Sequence, residues 1–61
     1  MTITSGTGQR LGTISYDRSD FEDEFDDLRL ARGLYRVDRR LSMFIQHIFG
    51  SVPIPTSIQI Q

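Results

Sequence analysis

The sequence predicts a small, mainly α protein, and three observations carry that expectation. Phe21, Phe25 and Leu28 recur at i, i+4 and i+7, the spacing of one helical stripe. Leu34, Val37, Leu41, Phe44 and Ile48 form a second stripe, with Ile45 and Phe49 beside it. Gly33 and Gly50 stand at the two ends of that second stripe, where a chain readily leaves a helix. The expected elements are a helix over about 19–32, a break at Gly33 and a helix over about 35–49. Short extended segments at about 11–16 and 56–60 make a small α+β arrangement the alternative class.

Residues 1–10, MTITSGTGQR, are small, polar and glycine-containing, and read as a flexible start with at most a short strand at Thr2–Thr4. In LGTISY at 11–16, Ile14 and Tyr16 alternate with polar neighbours, and Gly6 and Gly8 supply a turn before them. Ser19 and Glu22 have the spacing of a capping box, in which each side chain bonds the other's backbone N–H. The acids that follow lie at the positive end of the helix dipole, with Arg29 and Arg32 at its negative end. Pro53 forbids continuation of the second helix past Gly50. In the tail, Val52, Ile54, Ile58 and Ile60 fall at even spacing, and TSIQIQ reads as an amphipathic strand. Its prolines place it at a sheet edge or against a partner.

A second architecture competes. Leu30, Leu34, Val37, Leu41, Phe44 and Ile48 step by 4, 3, 4, 3 and 4, a coiled-coil register that runs through Gly33. One long helix over 19–49 in an oligomer would use it. Glycine inside a helix costs about 1 kcal/mol relative to alanine, which favours the break.

Sixty-one residues make one domain, 1–61, with a thin stability margin. Cysteine is absent and His47 is the single histidine, so disulfides and a Cys/His zinc site are excluded. Oligomerisation, or docking on a larger partner, is the remaining way to stabilise so small a chain, and a homo-oligomer is expected. The sequence has no basic start followed by an apolar run, and no apolar stretch long enough to span a bilayer. A cytoplasmic protein with no membrane partner is therefore expected.

The chemistry-bearing motifs are thin, and no catalytic, metal or cofactor site is expected. The glycines of GTGQRLG lack the lysine of a phosphate loop and the strand–helix setting of a dinucleotide fingerprint. DFEDEFDD lacks the glycine of a calcium loop and spaces its phenylalanines as a helix does. His47 with Ser42 or Ser51 lacks the scaffold that a triad needs. A non-enzymatic protein follows.

Charge distribution says more than the net charge of −1. Asp17 to Asp27 holds seven acids and one arginine; Arg29 to Arg40 holds five arginines and one acid. The acids are not balanced within their own segment, since Asp26–Arg29 is the best local pair and Asp23 and Asp27 repel at i, i+4. In a helical hairpin Arg36, Arg39 and Arg40 would approach Asp23, Asp26 and Asp27. The same pairs form between chains in an antiparallel dimer.

Two functions are open to such a chain. In the favoured one, a regulator, inhibitor, adaptor or small subunit binds another protein with a basic surface. Glu22, Asp23, Asp26 and Asp27 would form the acidic patch, Leu30 an exposed apolar neighbour, and Tyr35, Leu41, Phe44, Ile48 and Phe49 the apolar anchors. In the alternative, Arg36, Arg39 and Arg40 contact nucleic acid, which the net charge and the acidic run oppose. A strand followed by two helices resembles the element order of ribbon–helix–helix repressors. No motif residue matches, so that resemblance implies no site. A purely structural role is the third reading.

Overall fold

Two short alternating stretches, TITS and SIQI, pair with each other and form the middle of a sheet. The computed structural model describes residues 1–61. Strands β1 (Thr2–Ser5), β2 (Arg10–Thr13), β3 (Arg29–Ala31), β4 (Leu34–Arg36) and β5 (Ser57–Ile60) build one antiparallel sheet. Their order across it is β2-β1-β5-β4-β3. Helix α1 (Arg18–Glu24) follows the first hairpin and continues into a 3-10 turn at Asp26–Leu28. Helix α2 (Arg39–Phe49) follows the second hairpin, and β5 then enters between the hairpins, bonded to β1 and β4.

Alternation sorts the strand side chains into two faces. Ile3 pairs with Gly12 and Ile60, and Ile58 pairs with Ser5 and Tyr35, which puts all six on one face. Both helices cover that face. Phe21, Phe25 and Leu28 from the first helical stretch and Leu41 and Ile45 from α2 join Ile3, Tyr35, Ile58 and Ile60 in a single core. Fully burying one such side chain stabilises by roughly 1.5–3 kcal/mol, so nine of them dominate the favourable side of folding. A Cβ on Gly12 would stand 2.6 Å from the ring of Phe49, so only glycine lets α2 lie this close to β2. No helix is long and apolar enough to cross a membrane.

The mainly α expectation is therefore overturned: 30% of the residues are in strands and 34% in helices. The helix expected over 19–32 ends after Glu24, passes through the 3-10 turn and becomes β3. The cause lies in its charges. α1 has no base in its last turn, and Asp23, Glu24, Asp26 and Asp27 crowd the negative end of its dipole. Restarting as a 3-10 turn puts Asp26 and Asp27 at a favourable N-terminus instead. The capping box is replaced as well. Asp17 is the cap, accepting from the N–H of Ser19 at 2.8 Å and of Asp20 at 3.3 Å, and Ser19 lies inside the helix.

The helix expected over 35–49 begins only at Arg39, because Leu34–Arg36 is β4. Asp38 caps it through the N–H of Leu41 at 2.9 Å, and the Gly50 N–H closes its end on the Gln46 carbonyl. Gly33 does break the chain, as the turn of the β3–β4 hairpin, with φ at 75°. The single helix over 19–49, and the coiled-coil stripe it would use, are excluded: Leu30 and Leu34 sit on neighbouring strands. Of the segment expected at 11–16, only residues up to Thr13 are strand. The tail strand is central and not at an edge, since both prolines precede it and leave its ladder N–H groups free. Within the stretch expected to be flexible, the short strand allowed at Thr2–Thr4 is β1, Thr2–Ser5.

Candidate functional site: an acidic helical layer

The fold gathers every acid into one layer. The strands, TITS, RLGT, RLA, LYR and SIQI, contain none. All eight acids lie between Asp17 and Asp38, on α1, in the 3-10 turn or at the helix caps. Phe21, Phe25 and Leu28 anchor this stretch, each at most 2% exposed, so the intervening acids are held outward on a fixed frame. An aromatic cluster makes the frame stiff. Phe21 and Phe25 both meet Phe44 edge-on, and Phe21 meets Tyr35 at 5.1 Å between centroids.

Two of the acids are neutralised within the chain. Arg18 reaches Glu22 at 3.5 Å, one helical turn on. Arg40 donates to Asp27 at 2.6 Å and to the Glu24 carbonyl at 3.3 Å, and lies 5.1 Å above the Phe25 ring. The Arg40 hydrogen bond holds the Asp27 carboxyl below its usual range, helped by the charges of Arg40 and, more weakly, Arg36. Asp17 is likewise lowered, by the Ser19 hydroxyl and then by the N–H groups it caps. Glu24 accepts only a long bond from the Tyr16 hydroxyl, at 3.4 Å. Burial pushes the Tyr16 pKa up, and the nearby Glu24 charge adds to it. Asp20, Asp23 and Asp26 are exposed and form no ion pair or side-chain hydrogen bond.

The other residues singled out from the sequence are scattered. Tyr35 and Leu41 are fully buried and offer no surface. The Tyr35 hydroxyl has no hydrogen-bond partner, and burial raises its pKa. Phe44 and Phe49 are half-buried, packed against the core. Leu30, at 57% exposed on edge strand β3, and Ile48, at 36% on α2, are the two that still present apolar surface. Of the arginine cluster, Arg40 is tied to Asp27, Arg39 opens α2, and Arg36 ends β4. Neither Arg36 nor Arg39 forms an ion pair.

Sequence reasoning missed Asp20 and Glu24 as members of the layer, and Arg18 as one of its two internal counterions; the other, Arg40 on Asp27, is one of the pairings expected between the arginine cluster and the acids. The i, i+4 spacing of Arg18 and Glu22 was the available signal. It also missed two open clefts. One, of about 240 Å³, lies between the β1–β2 turn and the loop before β5, among Ser5, Thr7, Gln9, Pro53 and Thr56. The other lies past the end of α2, at Gly50 to Pro53. No acid, histidine or arginine lines either. No group of three or more potential metal ligands converges anywhere in the chain.

Fold and site together define the class: a two-layer α+β domain whose helical layer is acidic and whose sheet is free of acids. No family model matches the chain, and neither a curated protein nor a solved structure does so.

Proposed function

We propose that this is a small non-enzymatic interaction protein that docks a basic surface of a partner protein on its acidic helical layer. It would serve as a regulator, inhibitor, adaptor or small subunit. One observation carries the reading. Asp20, Asp23, Glu24 and Asp26 stand together without a cation of their own, on an element pinned by three core side chains. Like charges at helical spacing cost the fold a little, and a cationic partner relieves that cost. A preformed frame also lowers the ordering penalty of binding. Exposed acids of this kind set association rate and partner choice more than affinity. Leu30 on β3 and Ile48 on α2 add exposed apolar surface.

The test is differential capture followed by reconstitution. Tagged wild type recovers a protein that Asp23→Arg/Asp26→Arg fails to recover, while Arg10→Glu/Arg36→Glu, altered on the other layer, still recovers it. The purified partner then binds wild type with an association rate that falls as salt rises. Equal capture by wild type and the acid-reversed variant would sink the reading.

A further inference from the structure

Charge divides this molecule by layer, and the sheet side has no cover. Thr4, Gln59 and Leu34 pair in one row across β1, β5 and β4, on the face opposite the core, and Arg10 extends that row onto β2. Arg10 is held there: its guanidinium donates to the Thr13 hydroxyl at 3.0 Å, which shares a hydrogen bond with Thr2 at 3.1 Å. Arg36, opposite Ser57, brings the second positive charge. No acid and no aromatic ring stands in this row, so bases would find no stacking platform there. The molecule measures 25 × 22 × 20 Å, so even its thinnest extent exceeds the Debye length of about 8 Å at physiological salt. Arg10 lies on the face away from the acids, whereas the charge of Arg36 still reaches Asp27.

Few ways of joining two copies survive this arrangement. Sheet face on sheet face joins two surfaces that carry arginines and no acid. Helical layer on helical layer joins two surfaces in which the acids outnumber Arg18, Arg39 and Arg40. Edge pairing is blunted on both sides: the register shifts in the β1–β2 and β3–β4 pairings, and the two edge strands carry Arg10 and Arg29. Only sheet face on helical layer joins surfaces of opposite net charge.

We infer that the uncovered sheet face docks the acidic helical layer of a second copy, so that copies add head to tail. The inference rests on reading the acidic layer as an interaction surface and makes this chain one of its own basic partners. Such a contact uses two different patches and does not close at a dimer. A face no larger than 25 × 22 Å falls short of the roughly 800 Å² that each partner gives to a standard interface, so the assembly is weak and rapidly exchanging.

Sedimentation equilibrium on a charge-swap pair tests it. Wild type should gain mass continuously with concentration in low salt and return to the 7.0 kDa monomer as salt is raised. Arg10→Glu/Arg36→Glu and Asp23→Arg/Asp26→Arg should each stay monomeric. Mixed one to one, they should again gain mass with concentration, because each reversed face meets its complement on the other variant. Arg10→Gln/Arg36→Gln and Asp23→Asn/Asp26→Asn, which keep one working face each, should stay monomeric alone and form a heterodimer and nothing larger when mixed; should either reversal unfold the chain, this neutral pair decides. A wild type that stays monomeric in low salt overturns the inference. So does a mass that plateaus at a dimer, a variant that still self-associates, or a mixture that does not combine. Salt-sensitive binding of duplex DNA, lost in the arginine variant without wild-type self-association, assigns the face to a polyanion and overturns it too. Partner binding measured at low micromolar chain, below self-assembly, keeps a failure here separate from a failure of the proposed function.

Discussion

The two helical stretches begin alike and end differently. Each opens on an aspartate whose carboxylate takes up free backbone N–H groups, Asp17 before α1 and Asp38 before α2. Each then buries a stripe in the same core. α2 runs for eleven residues, has no acid in its first turn and carries His47 in its last, and stops at Gly50. α1 stops after seven residues, with no base in its last turn and acids immediately beyond. Apolar spacing alone does not set helix length. Phe21, Phe25 and Leu28 keep the spacing of a longer helix, yet the last of them is delivered to the core by a 3-10 turn. Acids at the C-terminal end of α1 oppose its dipole and favour the earlier stop.

The sharpest way to break this comparison is to remove what the two stretches share. Phe21 is fully buried and touches Phe25, Tyr35 and Phe44, so it joins α1 to both the sheet and α2. Phe21→Ala should cost about 3–5 kcal/mol. A chain of this length is typically stable by about 3–9 kcal/mol, so the variant should lose at least about a third of its stability. Circular dichroism and denaturant melts measure it. Loss of α1 alone, with α2 and the sheet intact, would show two independent halves and contradict the single core.

The next largest effect belongs to the turn between the helices. Gly33 has a φ of 75°, and a Cβ there would meet the Ile60 carbonyl at 3.2 Å. Gly33→Ala should destabilise by about 1–2 kcal/mol, read as a lower midpoint in urea at unchanged slope. A gain in stability would favour the continuous helix that the sequence spacing suggests.

That spacing shows how far the sequence could be read. α2 was legible because eleven residues carry three full turns of pattern, with a glycine to end it and Pro53 beyond. β5 was legible because Ile58 and Ile60 alternate with glutamines. The β3–β4 hairpin was not. Its strands have three residues each, too few to display a period of two, and their leucines happen to continue the spacing of α2. Pairing across long sequence distances, such as Ile3 with Ile60, leaves no local trace at all. Of the site, the acid excess was plain in the sequence. Its confinement to one layer was not, because that depends on knowing which residues are strands.

Removing the caps sharpens the comparison at the N-termini. Asp38→Ala should cost about 1 kcal/mol, the ordinary worth of such a cap. Asp17 adds a pH signature, because its folded pKa lies below the usual 3.8. A lowered carboxyl contributes stability that is complete above its unfolded pKa and is lost as pH falls through the folded one. Asp27, lowered by Arg40, acts in the same direction. Thermal midpoints should therefore drop steeply below about pH 4, and less steeply in Asp17→Asn and Asp27→Asn. An unchanged acid limb in both variants would contradict those hydrogen bonds.

The smallest effect speaks most directly to function. Asp23 sits in the last turn of α1, exposed and unpaired, where a negative charge opposes the helix dipole. Asp23→Arg should stabilise the chain by about 0.3–1 kcal/mol, resolvable as a small rise in urea midpoint. It should at the same time weaken both partner capture and self-assembly. Gain of stability with loss of binding would mean that the acid which shortens α1 serves the surface at the expense of the fold. Loss of stability would mean that Asp23 has a structural role, and charge would no longer explain why the two helices end so differently.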